Sequence, residues 1–258
     1  MSVDQKRALA AVWTDREAAE SYRFRAPYPA PVFDVLRRLA VAPYAVLDVG
    51  AGTGAVTRGV LSFASRVDAV EPSEAMLAEA RRLPGGDDRR IHWILGTAET
   101  ARLAPPYGLI TCGQSLHWMD HDVVMPRFAE ALLPGGVLAA LDREWEYPPE
   151  WRAGLVEIIQ RYSPLKDPPL FVDLFGELQR RGLFDRLGFQ RTSVISSAQT
   201  VDDFVRALQS TSTLSRVTLG GRTDAFATDV RALFERLGID RVVVPVAGNV
   251  VWGRPKRP

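Results

Sequence analysis

Val46-Leu47-Asp48-Val49-Gly50-Ala51-Gly52-Thr53-Gly54 is an apolar run that stops at an acid and empties into three alternating glycines. Tyr44 to Val49 has the β-branched, apolar character of a strand buried on both faces, and Ala55-Val56-Thr57-Arg58-Gly59-Val60-Leu61 resumes with apolar residues at helical spacing. The junction is therefore predicted as strand, tight turn, helix. Glycine lets such a turn take positive φ and lets a ligand approach the backbone. The unpaired N–H groups opening the next helix favour an electron-rich group. A nucleotide-like ligand fits these features, and so does a turn that serves packing alone. Read as Gly50-x-Gly52-x-x-Ala55, the stretch also satisfies the dinucleotide fingerprint, with Glu71 about 20 residues on as the ribose acid.

Working outward, Arg66 to Glu71 reads as a strand ending in an acid, and Pro72-Ser73-Glu74-Ala75-Met76-Leu77 opens a helix. The alternation continues with strands at Ile91–Leu95 and Gly108–Cys112, a helix from about Asp122 to Leu132, a turn at Pro134-Gly135-Gly136 and a strand at Val137–Leu141. This rhythm predicts an α/β fold, a doubly wound, mostly parallel, Rossmann-like sheet with its ligand site along the carboxyl ends of the strands. Asp48, Glu71, Gly96 to Glu99 and Gly113 to His117 all fall on that edge.

Upstream, Asp4 to Glu20 carries apolar residues at helical spacing, while Pro27, Pro29 and Pro31 impose an extended, non-helical path on Ser21 to Pro29. That stiff segment either folds over a neighbouring pocket or simply links helices; Pro31 to Leu39 is helical again. From Glu144 the rhythm changes. Trp145, Tyr147, Trp151 and the pairs Pro148-Pro149 and Pro168-Pro169 frame helical segments at Trp151–Tyr162 and Leu170–Arg180, read as a helical cap inserted after the fifth strand. Gln190–Ser196 reads as a strand, Val201–Leu208 and Asp224–Leu237 as helices, Arg241–Trp252 as a last strand, and Arg254 to Pro258 as a solvated tail. The implied organisation is 1–143 for the N-terminal lid and cofactor-binding core, 144–189 for a cap over the substrate site and 190–258 for completion of the core sheet.

Composition sets the bounds. With 258 residues, 47% hydrophobic and 24% charged, the chain has room for one sizeable soluble α/β domain and a modest cap. A formal charge of +1 supplies no long-range attraction for nucleic acid or an anionic membrane. The single cysteine, Cys112, allows no internal disulfide and no all-cysteine metal site, which fits a reducing cytosol. Ser2 to Arg16 lacks an apolar signal region, and no run approaches the roughly 20 apolar residues of a membrane span. The expectation is a cytoplasmic enzyme acting on a small molecule, with no nucleic-acid or membrane partner; nothing sets the oligomeric state.

Four segments in this order, VLDVGAGTGAVTRGV, VDAVEPSEAMLAEA, GLITCGQSLHWMD and ALLPGGVLAALD, together resemble the class I S-adenosylmethionine-dependent methyltransferases, in particular the small-molecule branch often called methyltransferase type 11. Phe24-Arg25-Ala26-Pro27-Tyr28-Pro29 also resembles that branch's aromatic-Arg-Pro-Pro-Tyr-Pro segment, with Ala26 in place of the first proline. The likeness runs from about Tyr22 to Asp142. It implies S-adenosylmethionine as cofactor and S-adenosylhomocysteine as product. It also implies that Asp48, Gly50, Ala51 and Gly52 shape the pocket for the methionine end, and that Glu71, followed by Pro72, accepts both ribose hydroxyls. By the same resemblance Met76 packs on the adenine face, Thr97-Ala98-Glu99 reaches the adenine edge, Arg25 and Tyr28 with Tyr22 bind the cofactor carboxylate, and Gln114-Ser115 borders the reacting methyl group.

His117 follows on the same segment. Its ordinary pKa of about 6.5 suits a general base, and packing or orienting the cofactor is the alternative role. His117 and His121 with Asp120 between them mimic a metal pair, but no third ligand is identifiable and no metal is expected. The reading is methyl transfer to an O, N or C nucleophile of a small, apolar or ring-bearing molecule. Two alternatives stand beside it: a non-methylating member of the fold, acting as a binding module or rearrangement catalyst, and a nicotinamide-dependent oxidoreductase. Asp48 within the motif, the His117-Trp118 segment and the C-terminal valine strand argue against the latter.

Overall fold

The computed structural model describes residues 11–164 and 173–257. Along the chain run α1 (Arg16–Ser21), α2 (Ala30–Leu39), β1 (Ala45–Val49), α3 (Ala55–Val60), β2 (Arg66–Glu71), α4 (Glu74–Arg82), β3 (Ile91–Leu95) and β4 (Tyr107–Gly113). They are followed by α5 (His121–Ala131), β5 (Leu132–Trp145), α6 (Pro149–Tyr162), α7 (Leu174–Arg180), β6 (Phe184–Arg191), β7 (Ile195–Thr200), α8 (Val201–Gln209), α9 (Arg216–Leu219), α10 (Thr223–Arg236) and β8 (Arg241–Pro255). Among the described residues no helix is long and apolar enough to cross a membrane.

The chain divides into two compact units. The core unit takes residues 28–144, 173–193 and 247–257. Its sheet has the order β3-β2-β1-β4-β5-β8-β6. The pairs β1–β2, β1–β4, β2–β3 and β4–β5 are parallel, with Val46 opposite both Val67 and Leu109, and β6 lies antiparallel to β8 with Gln190 opposite Val250. Strand periodicity sorts its core. Ala45, Leu47 and Val49 of β1 join Ile110, Leu138 and Phe128 on one face, while Val46 joins Leu109, Val137 and Val35 on the other. The chain leaves β1 for β2 on one side and comes back to β4 on the other, so a topological switch point lies at the carboxyl ends of β1 and β4.

The second unit takes residues 11–27, 145–164 and 194–246. Here β7 pairs antiparallel with the first residues of β8, Ile195 opposite Val246. Its core is aromatic: Trp151 and Phe234 lie 5.4 Å apart between ring centroids, Trp151 and Phe204 5.7 Å, Phe204 and Phe234 5.6 Å, in edge-on arrangements that suit ring quadrupoles. Trp151 and Phe204 are 3% exposed and Phe234 is fully buried, so these rings are spent on packing.

Several expectations are corrected. The division into 1–143, 144–189 and 190–258 gives way to these units, because the apolar faces of 145–164 are buried by Phe204, Phe226 and Phe234 from beyond residue 190. The helix expected over Asp4–Glu20 is interrupted within its described part: Asp15 accepts the Ala18 N–H at 2.9 Å and caps α1 afresh after a 3₁₀ turn at Ala11–Thr14. Ser21–Pro29 is not extended throughout, since Tyr22–Phe24 forms a 3₁₀ turn; proline restricts only itself and the residue before it. Pro134-Gly135-Gly136 is part of β5, its irregularity absorbed as a register shift against Tyr107 and Leu109 of β4. Gln190–Ser196 divides between β6 and β7, with Thr192 exchanging hydrogen bonds with Gly248 at the break, and β8 continues through the expected tail to Pro255. The Pro168-Pro169 pair, residues 170–172 of the helix expected from Leu170 and residues 4–10 of the helix expected from Asp4 lie outside the described residues.

Candidate active site

The turn after β1 is left-handed at alternate positions: φ is +69° at Gly50, +57° at Gly52 and +80° at Gly54. The N–H groups of Gly50 and Ala51 both reach the Val70 carbonyl, at 2.9 and 3.0 Å, and tie the turn to the end of β2. A Cβ at Gly50 would lie 2.4 Å from the Ser115 Cβ, a close approach that only glycine permits, whereas nothing lies within 4 Å of where a Gly52 Cβ would project. One side of the turn is thus sealed against β4 and the other is open.

Glu71, only 6% exposed, ends β2 with its carboxylate under this turn. One oxygen accepts the Gly52 N–H at 2.8 Å, the other the Ser73 N–H at 3.0 Å. Burial pushes its pKa up, the two N–H bonds work against that, and the charge of Asp48 adds to the rise. Each carboxylate oxygen keeps a second lone pair, so the group can still accept two hydroxyls. Asp48 is 1% exposed and accepts the Thr57 hydroxyl at 2.6 Å and the Thr111 hydroxyl at 2.8 Å, joining β1 to α3 and β4. Burial raises its pKa, with the two hydroxyls opposing.

Beyond β4 the backbone makes a second unusual turn. Gln114 has φ +54°, and the next residue, Ser115, donates its hydroxyl to the Val49 carbonyl at 2.6 Å. The Gln114 amide nitrogen donates to Asp142 at 2.8 Å, and its oxygen accepts from the Arg143 guanidinium at 2.6 and 3.2 Å. Arg143 stacks 4.7 Å over the Tyr28 ring, whose hydroxyl lies against Gly113.

The remaining expected residues are placed as follows. His117 is exposed on a 3₁₀ turn, its ring 4.9 Å from that of Trp118. His121 hydrogen-bonds the Leu116 carbonyl at 2.9 Å, and among the described residues no three His, Cys, Asp or Glu side chains gather as a metal set. Met76 is buried in the first turn of α4, whose Ser73 cap accepts the Met76 N–H at 3.1 Å, and Pro72 is exposed. Ala98 packs in the core, Thr97 pairs with Thr100 at 3.0 Å, and Glu99 accepts the Asp120 N–H at 2.9 Å. Tyr22 and Arg25 belong to the second unit. There Arg25 donates twice to Ser210, at 2.7 Å each, and once to the Tyr22 hydroxyl at 2.9 Å, while stacking 3.9 Å over the Tyr22 ring. Sequence reading missed Thr57, Thr111, Asp142 and Arg143. Asp142 was within reach, as an acid near a strand's carboxyl end like Asp48 and Glu71; Arg143 carried no signal.

Residues 46–136 match the model of a family described as a methyltransferase domain. An uncharacterized methyltransferase of Mycobacterium bovis is 34% identical over 161 residues, 61% of this chain and 63% of that one. A trans-aconitate 2-methyltransferase of Methylobacterium nodulans is 32% identical over 130 residues, 48% of each chain. The chain therefore spans less than two thirds of these relatives' lengths. Among solved structures, a provisionally assigned type II methyltransferase from Anaeromyxobacter dehalogenans superimposes with a TM-score of 0.67 at 25% identity, over 89% of this chain and 97% of that one. Sheet order, glycine turn and these likenesses identify residues 46–136 as a methyltransferase domain of the class I, Rossmann-like kind. The nicotinamide reading of the Gly50-x-Gly52-x-x-Ala55 spacing is thereby set aside.

Proposed function

We propose that this chain is an S-adenosylmethionine-dependent methyltransferase acting on a small organic acid. The observation that carries the reading is the Glu71 carboxylate, fixed by the Gly52 and Ser73 N–H groups below a turn whose other side is open. When bound, S-adenosylmethionine supplies the activated methyl group and leaves as S-adenosylhomocysteine. Glu71 accepts the ribose hydroxyls, the Gly50–Gly52 turn makes room for the methionine end, Met76 borders the adenine, and the Gln114–Ser115 turn borders the reacting centre. Alignment and exclusion of water supply much of the rate in such an in-line displacement.

A carboxylate acceptor is supported by the relative named for trans-aconitate. The ring-bearing acceptor expected from the aromatic stretch after Glu144 loses support, since Trp151 is buried among Phe204 and Phe234. Calorimetry with S-adenosylhomocysteine tests the cofactor. Incubation with labelled S-adenosylmethionine and a panel of small carboxylic acids, read by mass, tests the acceptor; cofactor binding with label appearing only on amines or phenols would overturn the acid assignment.

A carboxylate is already ionised at neutral pH and needs no base to attack. His117→Ala is therefore expected to lower kcat by less than about tenfold and to leave the shape of the pH–rate profile unchanged. A drop of about 10²–10⁴ with loss of the acidic limb of the profile would instead make His117 the base.

A further inference from the structure

Gln114 is one of two non-glycine residues with positive φ among those described, at +54°. Such a conformation persists only where its surroundings over-determine it. Both ends of its side chain are held: the amide nitrogen donates to Asp142 Oδ1 at 2.8 Å, and the amide oxygen takes Arg143 Nη2 at 2.6 Å and Nε at 3.2 Å. Asp142 Oδ1 also accepts the Arg143 N–H at 2.8 Å, so the acid and the guanidinium are locked to each other through the main chain as well as through Gln114. Arg143 is only 6% exposed, with the Tyr28 ring against its guanidinium. From Gln114 the constraint passes to the cofactor turn. The Gln114 N–H reaches the Leu141 carbonyl at 2.9 Å, the Ser115 hydroxyl reaches the Val49 carbonyl at 2.6 Å, and Ser115 sits where a Gly50 side chain would be.

We infer that Asp142 and Arg143 are positioning residues of the methyl-transfer site: they hold Gln114 in its left-handed conformation and so set Ser115 against the Gly50 turn and aim the segment carrying His117. Gln114 then serves through its backbone, because its amide oxygen is fully engaged by Arg143 and its nitrogen is aimed at Asp142. The inference rests on the reading of this edge as the cofactor site. A guanidinium is suited to the task because its planar fork presents two N–H groups to one oxygen while its face stacks on an aromatic ring.

The test uses the full chain with Arg143→Met, Arg143→Lys and Asp142→Asn. Arg143→Met keeps the volume and loses the donors. It is expected to weaken S-adenosylhomocysteine binding about tenfold and to speed amide exchange at Gly50, Ala51 and Ser115, with β3 amides from Ile91 to Leu95 unchanged. Arg143→Lys, which retains a donor and the charge, should recover part of the affinity. Asp142→Asn loses the charge that orients the Gln114 amide nitrogen while keeping one accepting oxygen, so it should weaken binding less than Arg143→Met and speed the same amides. Wild-type affinity in Arg143→Met, or faster exchange spread evenly over the core sheet, would overturn the positioning role. If the wild-type chain itself fails to bind S-adenosylhomocysteine, the cofactor reading falls instead, and the exchange pattern of the ligand-free variants still decides whether Arg143 sets the Gly50 and Ser115 turns.

Discussion

Gly50→Ala is expected to destabilise the fold by about 2–5 kcal/mol and to abolish S-adenosylhomocysteine binding. A non-glycine residue at φ +69° costs roughly 1–2 kcal/mol. The added methyl would stand 2.4 Å from the Ser115 Cβ, an overpacking that costs about 1–3 kcal/mol. Ser115 has no retreat, because its hydroxyl is anchored on Val49 and the preceding residue is already in a left-handed turn. Gly52→Ala provides the contrast. Its φ is +57°, but no atom lies within 4 Å of the new Cβ, so the fold loses only the conformational part, on the order of 1–2 kcal/mol. The methyl instead enters the open side of the turn. Urea unfolding and calorimetry on the two variants should therefore separate: Gly50→Ala loses stability and binding together, Gly52→Ala loses binding with most of its stability kept. Normal affinity in Gly52→Ala would remove this turn from the cofactor site.

The contrast shows what was legible in the sequence and what was not. β2 and β3 run from Arg66 to Glu71 and from Ile91 to Leu95 as read: β2, covered on both faces, carries a continuous apolar signal, and the edge strand β3 is bounded clearly enough by its neighbours for the local pattern to place it. β1 starts one residue later than expected, since Tyr44 itself takes φ +62°. Pro134-Gly135-Gly136 has strong turn chemistry, and it survives inside β5 as the irregularity between the Leu132–Tyr107 and Val137–Leu109 pairs, with Gly135 at φ +84°. The site divides the same way. The position of Glu71 at the end of β2 was legible from the sequence. The partners of Asp48 were not, because Thr111 is 63 residues away along the chain, and Arg25 reaches Ser210 across 185 residues. Arg143 was the least legible: its buried guanidinium meets Tyr28 and Gln114, which no local pattern joins to it.

Glu71→Ala is expected to weaken binding of S-adenosylmethionine by about 1.5–3 kcal/mol, roughly 10- to 150-fold, the range for hydrogen bonds to a charged group. The pH dependence distinguishes a ribose acceptor from a turn brace. Only the ionised carboxylate accepts from both hydroxyls while keeping its bonds to Gly52 and Ser73. Affinity should hold at neutral pH and fall as pH drops through the folded pKa of Glu71. Burial, reinforced by the Asp48 charge, places that pKa above the ordinary 4.5 despite the two N–H bonds. The stability linkage has the opposite sign. A carboxyl group whose pKa is raised on folding favours the folded state most below its unfolded value, and this contribution is lost as pH rises through the folded pKa. Acid should therefore weaken the cofactor complex in a window where protonation of Glu71 favours the fold. Asp48→Asn removes the neighbouring charge while keeping an oxygen for a hydroxyl, so the midpoint of the affinity loss should move to lower pH. Calorimetric titrations between pH 5 and 8 on wild type, Asp48→Asn and Glu71→Ala check this; unchanged affinity in Glu71→Ala would leave Glu71 a brace for the Gly52 turn.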